Sequence, residues 1–148
     1  MKTVFTLAFV LAAVAASPAR AADTVEDAMR SLGLLGHWAR QCEAPASGLN
    51  NHITFTKIST GEVQEIFDFG PDGPQNIYTV ISAAPEAAAP DEIHLVLVFR
   101  GNAMDVILKA QDHTIRTKSS IRKDGTVLVK DGIKLFNGDA TNVLHYCD

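Results

Sequence analysis

A chain of 148 residues, 47% hydrophobic and 20% charged, has room for one domain of ordinary size. Its formal net charge of −4 argues against general affinity for nucleic acid or anionic membranes. The two cysteines, far apart and in no C-x-x-C spacing, argue against a redox pair or a metal knuckle.

The chain opens on "MKTVFTLAFVLAAVAASPARA", residues 1–21. Lys2 supplies a positive start, and Val4 to Ala16 form an apolar run too short to span a bilayer comfortably. Ser17 and Pro18 break the helix, and Ala19 and Ala21 stand at the −3 and −1 positions of a cleavage site. The pattern predicts a secretory signal peptide cleaved after Ala21. One domain then remains over residues 22–148, placed in the periplasm or outside the cell. No cysteine lies near the cleavage site, so no lipid anchor is expected. No later apolar run approaches the roughly 20 residues of a transmembrane helix, so no stable membrane insertion is expected either. Without Lys2 and Arg20 the balance is 11 basic against 17 acidic residues, a net charge of about −6.

From Asp23 to Leu32 the pattern is helical, with Val25, Ala28, Met29 and Leu32 on one stripe. Asp23 or Thr24 can cap the start, and Gly33 ends it after about three turns. Beyond that point the period changes to two. "HITFTKIS" (52–59) and "EVQEIFDF" (62–69) alternate around Thr60-Gly61, a hairpin signal. "GPDGP" (70–74) turns the chain into "QNIYTVIS" (75–82). "AAPEAAAPDE" (83–92) reads as a long connector, a lid over a mouth or a mobile link, because its prolines interrupt a strand. "IHLVLVF" (93–99) is apolar on both faces and predicts a central, doubly covered strand. "AMDVILKA" (103–110) shows Asp105 and Lys109 on a wet face. "HTIRTKSSI" (113–121) places Ile115, Thr117, Ser119 and Ile121 on one face. "TVLVKD", "IKLF" and "TNVLHY" complete the chain.

Counting "GHWARQC" (36–42) as the first, this makes eight to ten strands joined by short turns, which force antiparallel neighbours. An open meander of that length leaves unpaired edges on its first and last strands, and closure into a barrel removes both. The predicted fold is therefore all-β: an antiparallel meander closed into an eight- to ten-stranded barrel, with one short N-terminal helix. Closure brings the first strand beside the last, and with them Cys42 and Cys147. An oxidising compartment lets a bridge between them persist, closing a loop worth up to ~4.7 kcal/mol in the chain-entropy model.

A short helix followed by a strand carrying Gly36-His37-Trp38 resembles the start of the calycin barrels, the lipocalins and their avidin-like relatives. The resemblance implies that Trp38 packs across a closed barrel end while the other end opens on a ligand cavity. It also implies a late-strand arginine over the tryptophan, a part for Arg116 or Arg122, with Gly36, Trp38 and Arg116 as the closing set. A second resemblance is to small secreted barrels that inhibit bacterial metalloproteases, where a first-strand G-x-W also precedes a cysteine. In that family the partner cysteine follows soon after the first and a flexible N-terminal arm enters the protease, so this chain departs from it twice.

Reactive chemistry is sparse. His37, His52, His94, His113 and His145 show no H-x-x-x-H or H-E-x-x-H spacing. His37 and His145 are expected to approach each other across the seam, where polar strand ends are favoured over a metal or haem site. G-x-S-x-G and phosphate-loop motifs are absent. No catalytic residue, metal or cofactor is predicted. Glu65 shares a strand face with Val63, Phe67 and Phe69. It is either the anchor for a ligand's polar group or a rim residue, and burial statistics favour the rim. Arg116, Lys118, Arg122, Lys123, Lys130 and Lys134 are read as a solvated face interspersed with Asp124 and Asp131, in preference to an anion-binding patch.

Two functions follow. The first is a non-catalytic binder of a small apolar molecule, with Phe55, Glu65, Phe67, Tyr78 and Phe99 turned into the barrel. The second is a protein-interaction module, such as a secreted protease inhibitor or an envelope scaffold.

Overall fold

The computed structural model describes residues 24–148. The expected signal segment, its expected cleavage site and Asp23 lie outside the described residues. Thr24 is the helix cap: its hydroxyl accepts the Asp27 backbone N–H at 3.1 Å, and α1 runs Val25–Ser31. This is two turns, one fewer than the sequence pattern suggests, because Leu32 already serves as the C-cap and Gly33 takes the left-handed φ of +68°. Met29 is fully buried and Ala28 nearly so. Glu26 is paired with Arg30 one turn along and with Lys57 at 2.6 Å, so the helix is tied to the strand that follows the first loop.

Ten strands follow: β1 (Gly36–Ala39), β2 (His52–Lys57), β3 (Val63–Asp68), β4 (Asn76–Glu86), β5 (Ala89–Phe99), β6 (Asn102–Gln111), β7 (Thr114–Arg122), β8 (Val127–Lys130), β9 (Ile133–Lys134) and β10 (Leu144–Cys147). Each pairs antiparallel with the next through β9, and β10 then closes the ring between β1 and β7. The barrel proper has eight strands, β1 to β7 and β10. Strands β8 and β9 are extra: they continue from the far end of β7, where Ser120 pairs with Val129. β7 is thus shared, its first residues bonded to β10 and its last to β8.

Cys42 and Cys147 are bridged across 105 residues, with their Cα atoms 5.5 Å apart. The predicted seam forms, since Trp38 lies opposite Tyr146 and His37 opposite Cys147.

Three expectations are corrected. The segment 83–92 is no lid or loose link: β4 and β5 continue through it to a tight turn at Ala87-Ala88, with Glu86 opposite Ala89. The prolines fit because the hairpin outruns its neighbours. β3 stops pairing with β4 at Val80, so Pro85 stands where β4 has only β5 beside it. β5 pairs with β6 only from Glu92 onward, so Pro90 deprives no ladder of a donor. Next, β5 is covered on one face only: Ile93, Leu95 and Leu97 are buried, whereas Val96 and Val98 are half-buried on the outside. Finally, the face of β7 changes partway. Ser119 pairs with Ile107 and Thr117 with Leu108, leaving Lys118 as a bulge. Ile115 is buried as expected, but beyond the bulge Ser120 turns inward and Ile121 is 38% exposed.

Candidate functional site

The barrel's interior divides into a packed half and a hollow half. Met29, Leu34, Phe55, Val63, Val80 and Leu95 are buried in one continuous apolar cluster with Trp38. The Trp38 indole N–H donates to the Leu34 carbonyl at 3.0 Å, and its ring meets Tyr146 edge-on at 5.1 Å. Gly36 has a direct steric reason. Its φ is +130°, and a Cβ there would sit 2.5 Å from the Tyr146 ring. Glycine, tryptophan and the β10 tyrosine therefore form one closure unit at the seam.

Arg116 serves differently from the stacking that the resemblance implied. Its guanidinium donates to the Gly132 carbonyl at 2.9 Å and to the Thr141 hydroxyl at 3.0 Å, and the ring on Trp38 is Tyr146. It fastens β7 to the segment that leads into the closing strand. Thr141 passes the tie on to the Thr117 carbonyl at 2.7 Å.

The hollow half holds a cavity of about 450 Å³, within the range of small-molecule sites. Its wall includes Ile53, Glu65, Phe67, Tyr78, Leu97, Val106, Thr117, Ser120 and Leu144. Phe69, Met104, Lys134 and Phe136 line it too, and Phe136, 79% exposed, marks its mouth. Hydrogen bonds between loops hold that mouth. The Gly48 N–H donates to the Asp72 carboxylate at 2.7 Å, joining the β1–β2 loop to the β3–β4 turn. Asn142 donates to the Asn51 side chain at 3.1 Å, joining the same loop to the approach of β10. Asn50, itself buried, accepts from the Gln41 N–H and donates to carbonyls of Gln41, Ala44 and Pro45, which fixes the loop internally.

Glu65 is the chemically distinctive residue of the wall. It was expected at the rim, and the structure corrects this: the residue is 3% exposed, on β3 between Phe55 of β2 and Tyr78 of β4. Its Oε2 is the one fully buried side-chain oxygen without a hydrogen-bond partner among the described residues. Burial alone pushes its pKa up to about 8, so the carboxyl is largely protonated at neutral pH. The Tyr78 hydroxyl is also held above its ordinary value, first by burial and then by the Glu65 charge, with Arg122 acting in the opposite sense.

Of the aromatic residues expected in the wall, two line it and two do not. Phe67 and Tyr78 border the cavity and meet edge-on at 5.6 Å. Phe55 is buried in the packed half. Phe99 stands outside the lining, stacked on Tyr78 at 4.8 Å with the Arg100 guanidinium 5.0 Å from its ring centre. Sequence reasoning missed Thr117 and Ser120. The two share the cavity face only because of the Lys118 bulge, and no residue of the run announces that bulge.

The histidines rearrange as well. His37 meets His52 across β1 and β2, with Nε2 2.9 Å from Nδ1, whereas His145 lies opposite Ala39. His52 is held in turn by the Ala44 carbonyl at 3.0 Å. Among the described residues, no three of His, Cys, Asp and Glu come together as a metal site would need. The basic residues disperse: Lys118 is paired with Glu92 at 2.6 Å, Arg116 holds the seam, and Lys134 lies over Phe136 at the mouth.

No protein-family model, curated protein or solved structure matches this chain.

Proposed function

We propose that this protein is an exported, non-catalytic binding module whose barrel takes up one small, largely apolar molecule and anchors its polar end at Glu65. The carrying observation is the pairing of an open apolar cavity with a buried carboxyl whose Oε2 has no partner. An unpartnered buried polar atom is destabilising, by about 1–3 kcal/mol, and a cavity leaves packing contacts unmade. Both losses fall on the same wall, and one molecule with a polar end and an apolar body offsets both. The disulfide supports export, since such bridges persist in oxidising compartments. The G-x-W closure unit and the cavity inside the barrel support a calycin-like way of binding.

Native mass spectrometry of the protein purified from its exporting cell, or after exposure to a lipid extract, tests the reading. A bound small molecule is expected at one per chain. It should be lost when Ser120→Phe fills the cavity while the disulfide and the β-sheet signal remain. Material that emerges empty after both treatments, with the same mass as Ser120→Phe apart from the substitution, overturns it.

A further inference from the structure

The binding reading leaves open what polar group faces Glu65, and the surroundings of that carboxyl bear on the choice. Resting on that reading, we propose that the ligand is an organic amine: an apolar body carrying one ammonium group, which pairs with the Glu65 carboxylate beside the rings of Phe67 and Tyr78.

Three observations point to positive charge. A neutral anchor needs no carboxyl, because a serine, threonine or glutamine on the same wall supplies donors and acceptors without a titrating group. A carboxyl at 3% exposure, with Oε2 unpartnered, gains most from an ion that restores its charge. Next, the residues around it are aromatic. Phe67 is stacked on Phe69 at 6.2 Å and meets Tyr78 at 5.6 Å. Aromatic ring faces attract cations, by about 2 kcal/mol or more when water is excluded, and offer nothing comparable to an anion. Third, the chain is acidic overall, which draws small cations and repels fatty acids.

Glu65 is the one carboxyl among the residues lining the cavity, and Lys134 the one basic side chain. Tyr78 on β4 is held above its usual range, and Arg122 acts on Tyr78. The inward residues of the neighbouring β2, Ile53 and Phe55, carry no charge. Lys134 lines the cavity beside Phe136, and no salt bridge joins it to Glu65. Glu65 is therefore an acid awaiting a base. In the free protein at neutral pH it is R–COOH, and the ligand arrives as R′–NH3+. The complex is carboxylate with ammonium, and one proton leaves to solvent.

Calorimetry with n-octylamine, n-octanol and n-octanoate on the disulfide-bonded protein tests this. The amine is expected to bind roughly thirtyfold more tightly than the alcohol at pH 7.5. Heats in buffers of different ionisation enthalpy should show about one proton released per amine at pH 6.5 and none at pH 9. Below pH 7.5 the amine's affinity should rise about tenfold per pH unit, while the alcohol's stays flat. Glu65→Gln should abolish the preference and the proton release yet keep the alcohol bound, and Glu65→Asp should restore the preference in part. If the alcohol or octanoate binds as well as the amine, or no proton is released by wild-type protein, the cavity reading survives and the amine proposal falls. If none of the three binds at millimolar concentration, both fall.

Discussion

The two halves of this barrel are built on the same strands and solve opposite problems. Around Trp38, interior positions carry Met29, Leu34, Phe55 and Val63, and every one is at most 4% exposed along with the tryptophan itself. Around Glu65, directly opposite Phe55 on the neighbouring strand, the interior falls away into about 450 Å³ of cavity. On β3 the change takes two residues, from Val63 in the packed cluster to Glu65 in the cavity wall. Stability is concentrated at one end, which leaves the other free to carry a group that destabilises the fold. A closed barrel suits this division, because ladder bonds hold the hollow half in shape where packing does not.

If that contrast is right, truncations at the two ends differ most. Phe55→Ala removes a ring from the packed half and should cost about 4 kcal/mol in denaturant unfolding. Phe69→Ala at the mouth should cost about 1 kcal/mol, because the neighbouring space is already empty. Equal losses would mean that the cavity is packed in solution. The seam comes next. Replacing both cysteines by serine should lower stability by about 3 kcal/mol, with the far-ultraviolet signal kept, since β10 still pairs with both β1 and β7. A loss of all structure would mean that the ladder cannot hold the ring alone.

How much of this was legible depends on what each feature requires. Alternation at period two is local, and it marks β2, β3, β6 and the start of β7. The edge argument then follows from strand count and short turns, and it brings Cys42 to Cys147 without any knowledge of packing. Pro85 and Pro90 misled because a proline forbids a ladder bond only where a neighbour exists to receive it. Whether a neighbour exists depends on where β3 and β6 end, on either side of the hairpin. The bulge at Lys118 is hidden for a related reason: one unpaired residue exchanges the inner and outer faces of everything after it. Ser120 and Ile121 then trade places, and the cavity gains a serine where the pattern had an isoleucine. Glu65 is the instructive residue. Its face was plain from Val63 and Phe67, but depth is a property of the closed ring. Frequencies of buried carboxylates favour the rim because most proteins have no use for such a group.

The hollow half should also declare itself through pH. The Glu65 carboxyl is raised from its ordinary 4.5 to about 8, so between those values the folded chain holds a proton that the unfolded chain has released. Stability therefore falls as pH rises across that window, and is unaffected by this group below it. Replacing the carboxyl with an apolar side chain of similar length, Glu65→Met, should raise stability by about 4 kcal/mol more at pH 8 than at pH 4.5. Urea titrations of both proteins at the two values check this. A difference independent of pH would mean that the carboxyl is hydrated and titrates normally.

The seam gives the opposite slope, and a smaller one. His37, on β1 opposite Cys147, is held below its ordinary 6.5, first by burial and then by the charge of His52. Its ring nitrogen lies 2.9 Å from that of His52, an arrangement in which one nitrogen donates and the other accepts. Once both rings are protonated, two N–H groups face each other and the bond is lost. The unfolded chain takes up its proton near pH 6.5 and the folded chain only further down, so stability falls as pH drops below that point. His37→Asn should remove part of this acid-side slope without touching the alkaline one, while Glu65→Met does the reverse. Below pH 6.5 the two slopes oppose each other, so His37→Asn should steepen the fall of stability with rising pH, and Glu65→Met should leave a net rise there. Thermal unfolding of the three proteins from pH 5 to pH 9 separates the contributions. If one substitution alters both limbs, the ends of the barrel are coupled, and the packed half does not stand independently of the hollow one.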